Sequence, residues 1–228
     1  MVDRSVRIFP LGDSAITVEF GNTISPELNT RAIALTEHFT RNPFPGFVEA
    51  VPAYTSATVF YDLIAVSRAD GGRTTAFDRV RAEVEAALKS IDIAGSAAGR
   101  LIEIPVAFDL AGEYDLAYVG ERAGLAPSEV VERFVSATYR VYMLGFLPGF
   151  TYMGEVDESI ATPRKETPRT KVPAGSVGIA GRQTGIYSLE SPGGWQIIGR
   201  TSVPLFTPGS ETPTLLQAGD QVRFTVAK

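Results

Sequence analysis

Between Phe150 and Gln196 the sequence gathers side chains that could bind a small polar molecule. Arginine can hold a carboxylate or a phosphate through two parallel hydrogen bonds, and amide or hydroxyl groups can fix an amide or a carbonyl. Aromatic rings can supply an apolar wall. The candidate substrate-binding residues are Phe150, Arg164, Arg169, Lys171, Ser176, Gln183, Thr184, Tyr187, Trp195 and Gln196. This set predicts a site for a small anionic ligand that contains an amide, or for an acidic partner surface.

Each of these residues also has a purely structural interpretation. Arg164 and Arg169 lie in the basic stretch TPRKETPRTKVP, and the preceding residues 100–160 are rich in acidic side chains. Ion pairs with that acidic segment would explain the two arginines equally well. Trp195 follows a Ser-Pro-Gly-Gly turn and could be a core aromatic. The aromatic turn at 146–152 could line a pocket or pack against the end of a barrel.

Several kinds of chemistry are excluded or disfavoured by the composition. The chain has no cysteine, a single histidine and a net charge of −5. A thiolate nucleophile, a disulfide framework, a His-based triad and a His metal site are therefore not expected, and neither is general nucleic-acid binding. No phosphate-binding P-loop motif occurs, and the glycine-rich run 175–181 lacks the strand-then-helix context of a dinucleotide site. We expect no metal and no cofactor bound by this chain.

The elements that must position these residues divide the chain in two. Glycine and proline interrupt the segment 144–201 too often for a long helix, so short strands joined by tight turns are predicted there. The first part, 1–95, reads β-β-α-β-β-α, and 93–100 is a predicted linker. The second part, 100–228, is mainly β with a short helical insertion. The predicted fold class is α+β.

Local signals predict the ends of several elements. Ser25 and Pro26 are typical of a helix start, with an apolar face that includes Leu35. Asp115 is predicted to cap a short helix that ends before Gly124. The fourth strand is predicted to run to residue 63, and residues 68–72 are predicted to form a loop.

The sequence shows no membrane-spanning run of roughly eighteen apolar residues and no secretory signal at its start. A cytoplasmic location is therefore expected, with no membrane partner.

Three long segments are similar to the allophanate hydrolase subunit 1 family. They are GFLPGFTYMG, TPRKETPRTKVPAGSVGIAGRQTGIYSLESPGGWQIIGRT and LLQAGDQVRF, in that order along the chain. The family includes the bacterial B-type 5-oxoprolinase subunit, the sporulation kinase A inhibitor and a part of the carboxyltransferase domain of urea carboxylase. The resemblance extends over essentially the whole chain. It implies a small N-terminal α/β sandwich followed by a cyclophilin-like β-barrel.

The resemblance also implies an activity and partners. It implies a companion protein of the allophanate hydrolase subunit 2 type and, in the 5-oxoprolinase branch, a third subunit. Together these open the lactam 5-oxoproline to glutamate with ATP used by the complex. On this interpretation Arg164 and Arg169 hold the substrate carboxylate or a phosphate. Ser176, Gln183 and Thr184 orient the lactam, while Phe150 and Trp195 form the apolar wall.

The alternatives implied by the same resemblance are a regulator that binds and inhibits a sensor histidine kinase, and a carboxyltransferase component. No biotinylation motif is present, so biotin would have to arrive on another protein. The chain departs from the family pattern at two places. Phe134 stands where the family commonly has a histidine near the end of a helix, and Thr138 replaces an acidic residue before a strand.

Overall fold

The computed structural model describes residues 6–69, 71, 73–91, 99–109 and 111–227. These residues form two compact units, Met1–Ala97 and Ala98–Lys228. The predicted linker lies outside the described residues except for Gly99 and Arg100.

The first unit is one antiparallel sheet with helices packed on it. Its elements are β1 (Arg7–Pro10), β2 (Ala15–Glu19), α1 (Pro26–Arg41), β3 (Phe47–Pro52), β4 (Ser56–Tyr61), α2 (Leu63–Ala69) and α3 (Ala76–Ser90). The strands lie in the order β1-β2-β4-β3. Their buried face and the apolar faces of α1 and α3 form one core, in which Ile16, Leu35 and Val80 are fully buried.

The predicted order of this unit is confirmed, with one correction. The N-cap prediction for α1 holds, because the Leu28 amide donates to the Ser25 hydroxyl over 3.2 Å. The predicted strand end at residue 63 and the predicted loop at 68–69 are wrong, because residues 63–69 form α2. Residues 70 and 72 of that predicted loop lie outside the described residues. Two amides of α2 are bound by the Asp62 carboxylate, each over 2.8 Å, and this starts the helix directly after β4.

The second unit contains a closed barrel. Its elements are β5 (Leu101–Phe108), α4 (Leu116–Ala123), α5 (Pro127–Ser136), β6 (Thr138–Leu144), β7 (Thr151–Gly154), a 3₁₀ turn (Glu158–Ile160), β8 (Arg169–Val172), β9 (Ser176–Ala180), β10 (Gln183–Ile186), β11 (Ser191–Gly193), β12 (Gln196–Arg200) and β13 (Gln221–Val226).

The barrel order is β10-β7-β6-β13-β5-β12-β9, and a separate ribbon pairs β8 with β11. Among the described strands, β5 and β13 form the one parallel pair. The barrel interior holds the main core, including Val177, Ile179 and Ile186. The expected α+β class, with a barrel in the second unit, is thus confirmed. A smaller cluster of Phe150, Tyr187, Trp195 and their neighbours lies apart from that core, and this cluster is where the candidate site forms.

Within the described ranges, no helix is long and apolar enough to cross a membrane.

Candidate functional site

A cavity of about 220 Å³ opens on the second unit beside the small aromatic cluster. It is lined by Phe146, Phe150, Tyr152, Arg164, Pro168, Tyr187, Pro192, Gly193, Gly194 and Trp195. These residues come from β7 and the turn before it, the segment before β8, the residue that follows β10, and β11 with its connection to β12. The lining is almost entirely aromatic rings, proline and glycine, with one charged side chain, Arg164. We call this cavity the aromatic pocket.

Edge-to-face ring contacts hold the floor of the aromatic pocket together. The Phe150 ring lies 4.9 Å from Tyr152, 5.2 Å from Tyr187 and 5.5 Å from Trp195, measured between ring centres. Phe150, Tyr187 and Trp195 are at most 4% exposed. Such pairs add about 0.5–1.5 kcal/mol each beyond simple burial. The floor is therefore a preformed surface on which a flat apolar ring can rest.

Two glycines make room for these rings. A Cβ at Gly185 would lie 3.1 Å from both Phe150 and Trp195, and 2.6 Å from the Thr151 carbonyl oxygen. A Cβ at Gly193 would lie 2.2 Å from the Tyr187 hydroxyl. Part of the glycine content in this segment therefore serves the close approach of rings to backbone.

The turn that carries Phe146 is tight. Gly149 has φ 76°, and the Phe150 amide donates to the Leu147 carbonyl over 3.0 Å, as expected of a Pro-Gly turn. Phe146 has φ 69°, a conformation uncommon for a bulky residue, and the Leu147 amide closes a three-residue turn on Gly145. The Phe146 side chain is 60% exposed at the mouth of the pocket. Non-glycine residues in such conformations are concentrated at binding sites.

Arg164 supplies the charge of the aromatic pocket. Its guanidinium carbon lies 5.7 Å from the centre of the Trp195 ring, a cation–π contact. It forms no ion pair with any residue that the structure describes. Arg164 is therefore suited to bind the carboxylate of a ligand, because its charge is not neutralised by the described residues and it lies at the mouth of an apolar pocket.

Tyr187 offers a neutral hydrogen-bond donor beside the pocket. Burial raises the pKa of its phenol, opposed by the Trp195 backbone amide, which donates to the phenol oxygen, and by the charge of Arg164. Because the pKa lies above its ordinary value near 10, the phenol remains protonated at neutral pH. Its proton can therefore be donated to a ligand carbonyl.

Asp115 joins two walls of the pocket and is itself buried, at 5% exposure. Its carboxylate accepts two bonds from Arg169, at 2.7 and 2.8 Å, and one from Lys165 at 3.0 Å. It also accepts the Ile197 backbone amide at 2.7 Å, while its own amide donates to the Ile197 carbonyl. We call these four residues the Asp115 network.

The pKa of Asp115 reflects this set of donors. Burial alone would raise the pKa of this carboxyl group. The hydrogen bonds from Arg169, the Ile197 amide and Lys165 more than offset that effect and hold the pKa below its ordinary value. Asp115 is therefore ionised at neutral pH.

The predicted position of α4 is confirmed: Asp115 is its N-cap residue, and the helix ends before Gly124, which has a left-handed conformation. The Asp115 side chain, however, makes no capping bond. The carboxylate instead accepts hydrogen bonds from Lys165 and Arg169, which lie about fifty residues further along the chain. The structural interpretation of Arg169, an ion pair with the acidic segment, describes what the structure shows.

Four of the ten predicted substrate-binding residues line the aromatic pocket: Phe150, Arg164, Tyr187 and Trp195. Arg169 belongs to the Asp115 network. The other five lie elsewhere.

Those five residues have other surroundings. Lys171 is exposed and pairs with Glu190 over 3.0 Å. Thr184 donates to the Gly178 carbonyl, and Gln196 donates to the Pro163 carbonyl, both over 2.9 Å. Ser176 is fully buried in β9, and its hydroxyl has no partner among the described residues. Gln183 begins β10.

Pro168, Gly194 and three members of the Asp115 network (Asp115, Lys165 and Ile197) are not among the predicted site residues. The Pro168 and Gly194 contacts follow from the pairing of β8 with β11, which places Gly193 opposite Arg169. That pairing is a long-range feature, and the turn-like sequence of this region does not reveal its register.

Phe134, the departure from the family pattern, is a core residue. It is fully buried at the end of α5, with its ring centre 5.0 Å from those of both Tyr139 and Phe224. Its carbonyl accepts the Tyr139 hydroxyl over 2.7 Å. An apolar ring of the barrel core thus occupies the position at which the resemblance implies a histidine. Among the described residues, no three His, Asp or Glu side chains are grouped as metal ligands.

The fold and the site together define the class of protein: a two-unit α+β protein whose barrel carries a preformed aromatic pocket. Residues 6–216 match the family model described as carboxyltransferase domain, subdomain C and D, and the chain belongs to this family.

Similar proteins are known from several organisms. The chain is 45% identical to the B-type 5-oxoprolinase subunit of Bacillus subtilis over 221 residues, which cover 96% of this chain and 91% of that protein. The crystal structure of TTHA0988 matches with a TM-score of 0.79 and 41% identity. That match covers 98% of this chain but only 40% of the TTHA0988 chain, so this chain spans less than half the length of TTHA0988. The urea amidolyase of K. lactis, at 21% identity and a TM-score of 0.75, shares the fold over 15% of its chain.

Proposed function

We propose that this chain is the B-type component of a heteromeric, ATP-dependent 5-oxoprolinase, and that its aromatic pocket holds the lactam substrate. The observation that carries the proposal is the guanidinium of Arg164, unpaired among the described residues, at the mouth of a preformed aromatic pocket. The similarity to the B-type 5-oxoprolinase subunit over nearly the full length of both chains supports it.

The chemistry of 5-oxoproline fits the aromatic pocket group by group. The substrate is a small lactam ring that bears a carboxylate. Its carboxylate would pair with Arg164, and its ring would rest on Trp195 and Phe150. Its carbonyl oxygen would accept a hydrogen bond from the Tyr187 hydroxyl. Pockets with an apolar lining and a few placed polar groups are typical of small-molecule sites.

In the overall reaction, water adds to the lactam carbonyl carbon, the C–N bond breaks, and the nitrogen leaves as the free amine of glutamate. ATP hydrolysis by the complex drives this step. The residues that line the aromatic pocket bind and orient the substrate but contain no nucleophile paired with a base. We therefore assign the nucleotide and hydrolytic steps to companion subunits: a subunit 2-type protein and a third, lactam-hydrolysing protein. We expect the complex to work in the cytoplasm, where ATP is supplied.

The test is to co-express the chain with the subunit 2-type protein and the third subunit, purify the complex, and measure ATP-dependent release of glutamate from 5-oxoproline. Turnover that requires this chain is expected. A stable pair without turnover, even with the third subunit present, would refute the proposal.

A carboxyltransferase component is the second candidate, because the family description names that domain and the urea amidolyase shares the fold. The same preparation separates the two functions. Transfer of a carboxyl group from carboxybiotin to a urea-like amide, with no release of glutamate from 5-oxoproline, would favour the second candidate.

A further inference from the structure

Asp115 lies between two walls of the aromatic pocket without lining it. One wall is the segment that carries Arg164 and Pro168, and the other is the connection that carries Gly194 and Trp195. Asp115 binds both. Its carboxylate accepts hydrogen bonds from Lys165 and Arg169 on the first wall and from the Ile197 amide next to the second wall.

The bonding of Asp115 is more extensive than an ordinary surface ion pair. The Arg169 fork is bidentate, with both bonds below 2.9 Å, and the side chains of Arg169 and Lys165 are 25% and 30% exposed. Bidentate pairs fix orientation as well as distance. A main-chain pair runs alongside, in which the Asp115 amide donates to the Ile197 carbonyl over 2.8 Å.

The two walls also contact each other directly. The Lys165 amide donates to the Gly194 carbonyl over 2.7 Å. A Cβ at Gly194 would lie 3.5 Å from the Pro168 ring, in ordinary contact. Arg164 directly precedes Lys165, and Trp195 directly follows Gly194. A shift of either wall would therefore change the distance between the Arg164 guanidinium and the Trp195 ring.

We propose that Asp115 is a positioning residue for the aromatic pocket: by holding Lys165 and Arg169 on one wall and the Ile197 amide on the other, it sets the place of Arg164 over Trp195. The proposal rests on the proposed function only for the identity of the ligand. Asp115 touches no substrate and acts through these neighbours.

Charge and geometry predict opposite effects when Asp115 is neutralised. The Asp115→Asn variant makes the neighbourhood one unit more positive, and charge alone would then strengthen the binding of an anion. Loss of positioning weakens the binding of any ligand of the pocket, on the order of 10- to 100-fold for a displacement near 1 Å. A neutral ligand is unaffected by the charge and loses affinity only through geometry.

The experiment uses the full chain and its single tryptophan, Trp195, as the reporter. Emission is titrated with 5-oxoproline and with the neutral lactam 2-pyrrolidinone, and quenching by acrylamide is measured without ligand. The matched control is Asp220→Asn. Asp220 is 4% exposed, and its carboxylate accepts a hydrogen bond from Arg100 Nε over 3.1 Å. It does not line the pocket. Arg169→Lys keeps the charge and removes the bidentate bond, and it serves if Asp115→Asn does not fold.

Weaker binding of both ligands and greater quenching of Trp195 in Asp115→Asn, with Asp220→Asn like the wild type, supports the proposal. Arg169→Lys should show the same changes to a smaller degree. Tighter binding of 5-oxoproline with unchanged binding of 2-pyrrolidinone, or equal behaviour of the two Asn variants, overturns it. If the wild type binds neither lactam, the proposed function fails, and the quenching of Trp195 still decides the positioning role.

Discussion

The guanidinium of Arg164 lies over the Trp195 ring, 5.7 Å from its centre, at the mouth of the aromatic pocket. The ring lies against the pocket floor, while the guanidinium is exposed. The contact holds the cation in place and leaves its hydrogen-bond donors available to a ligand. A sensitive optical reporter and the proposed carboxylate-binding group are thus immediate neighbours.

Arg164→Gln should weaken the binding of 5-oxoproline about 10- to 100-fold, because a hydrogen bond to a charged group contributes about 1.5–3 kcal/mol. Binding of 2-pyrrolidinone, which lacks the carboxylate, should change far less. Trp195 emission measures both. The control is Arg223→Gln, which removes an exposed arginine paired with Glu103 over 3.5 Å. Equal losses for the two lactams would contradict a carboxylate-binding role.

Gly193→Ala should damage the aromatic pocket, because the new methyl group would lie 2.2 Å from the Tyr187 hydroxyl. Overpacking of this kind costs about 1–3 kcal/mol. Thermal unfolding should show a lower Tm, and titration should show weaker lactam binding. Gly145→Ala is the control, since its methyl group would lie 3.6 Å from the nearest atom, on Met143. A Gly193→Ala variant as stable as Gly145→Ala would show that Tyr187 can move aside without cost.

The ion pairs of Asp115 should make stability depend on acid pH. The folded-state pKa of Asp115 is depressed, so its contribution is fully present above the unfolded value of about 3.9 and is lost as pH falls through the lower, folded value. At neutral pH, Asp115→Asn should reduce the free energy of unfolding by about 3–5 kcal/mol, because two cations lose a buried partner.

Urea unfolding between neutral pH and pH 3 measures this dependence. The difference between wild type and Asp115→Asn should shrink below about pH 4. Glu103→Gln, which breaks a pair whose side chains are 47% and 60% exposed, should cost less than about 1 kcal/mol at neutral pH. A difference between wild type and Asp115→Asn that stays constant with pH would mean that the ion pairs do not stabilise the folded state.

Phe134→His should destabilise the second unit without adding activity. The position is fully buried among the rings of Tyr139 and Phe224, and burying an unpaired polar group costs about 1–3 kcal/mol. Phe134→Leu, which stays apolar, is the comparison. Unfolding and the turnover of the reconstituted complex are measured for both. A faster Phe134→His complex would show that this buried position has a catalytic role.

Features that depend on residues close together in the sequence could be predicted, whereas features that depend on residues far apart in the sequence could not. The start of α1 was predictable because Ser25 caps it locally, and Leu28 is the residue bound. The side-chain role of Asp115 is not predictable, because a capping carboxylate and a carboxylate held by distant cations look alike in a sequence. The pocket residues Pro168 and Gly194 depend on the register between β8 and β11, which involves residues far apart in the chain.

The candidate site divides in the same way. Arg164 and Arg169 have the same type and nearly the same neighbours in the sequence, so one role was predicted for both. Only the position of Asp115 separates them, because it takes the fork of Arg169 and leaves Arg164 unpaired among the described residues. The sequence does not show that the glycines at 185 and 193 make room for aromatic rings, because the rings that approach them come from other parts of the fold.

The steady-state kinetics of the reconstituted complex with 5-oxoproline and ATP test the central claim most directly, with wild type and Arg164→Gln compared under identical conditions. If the aromatic pocket holds the substrate through Arg164, kcat/KM for 5-oxoproline falls at least about tenfold. Arg223→Gln leaves it unchanged. An Arg164→Gln complex with the wild-type kcat/KM would place substrate binding elsewhere and contradict the account.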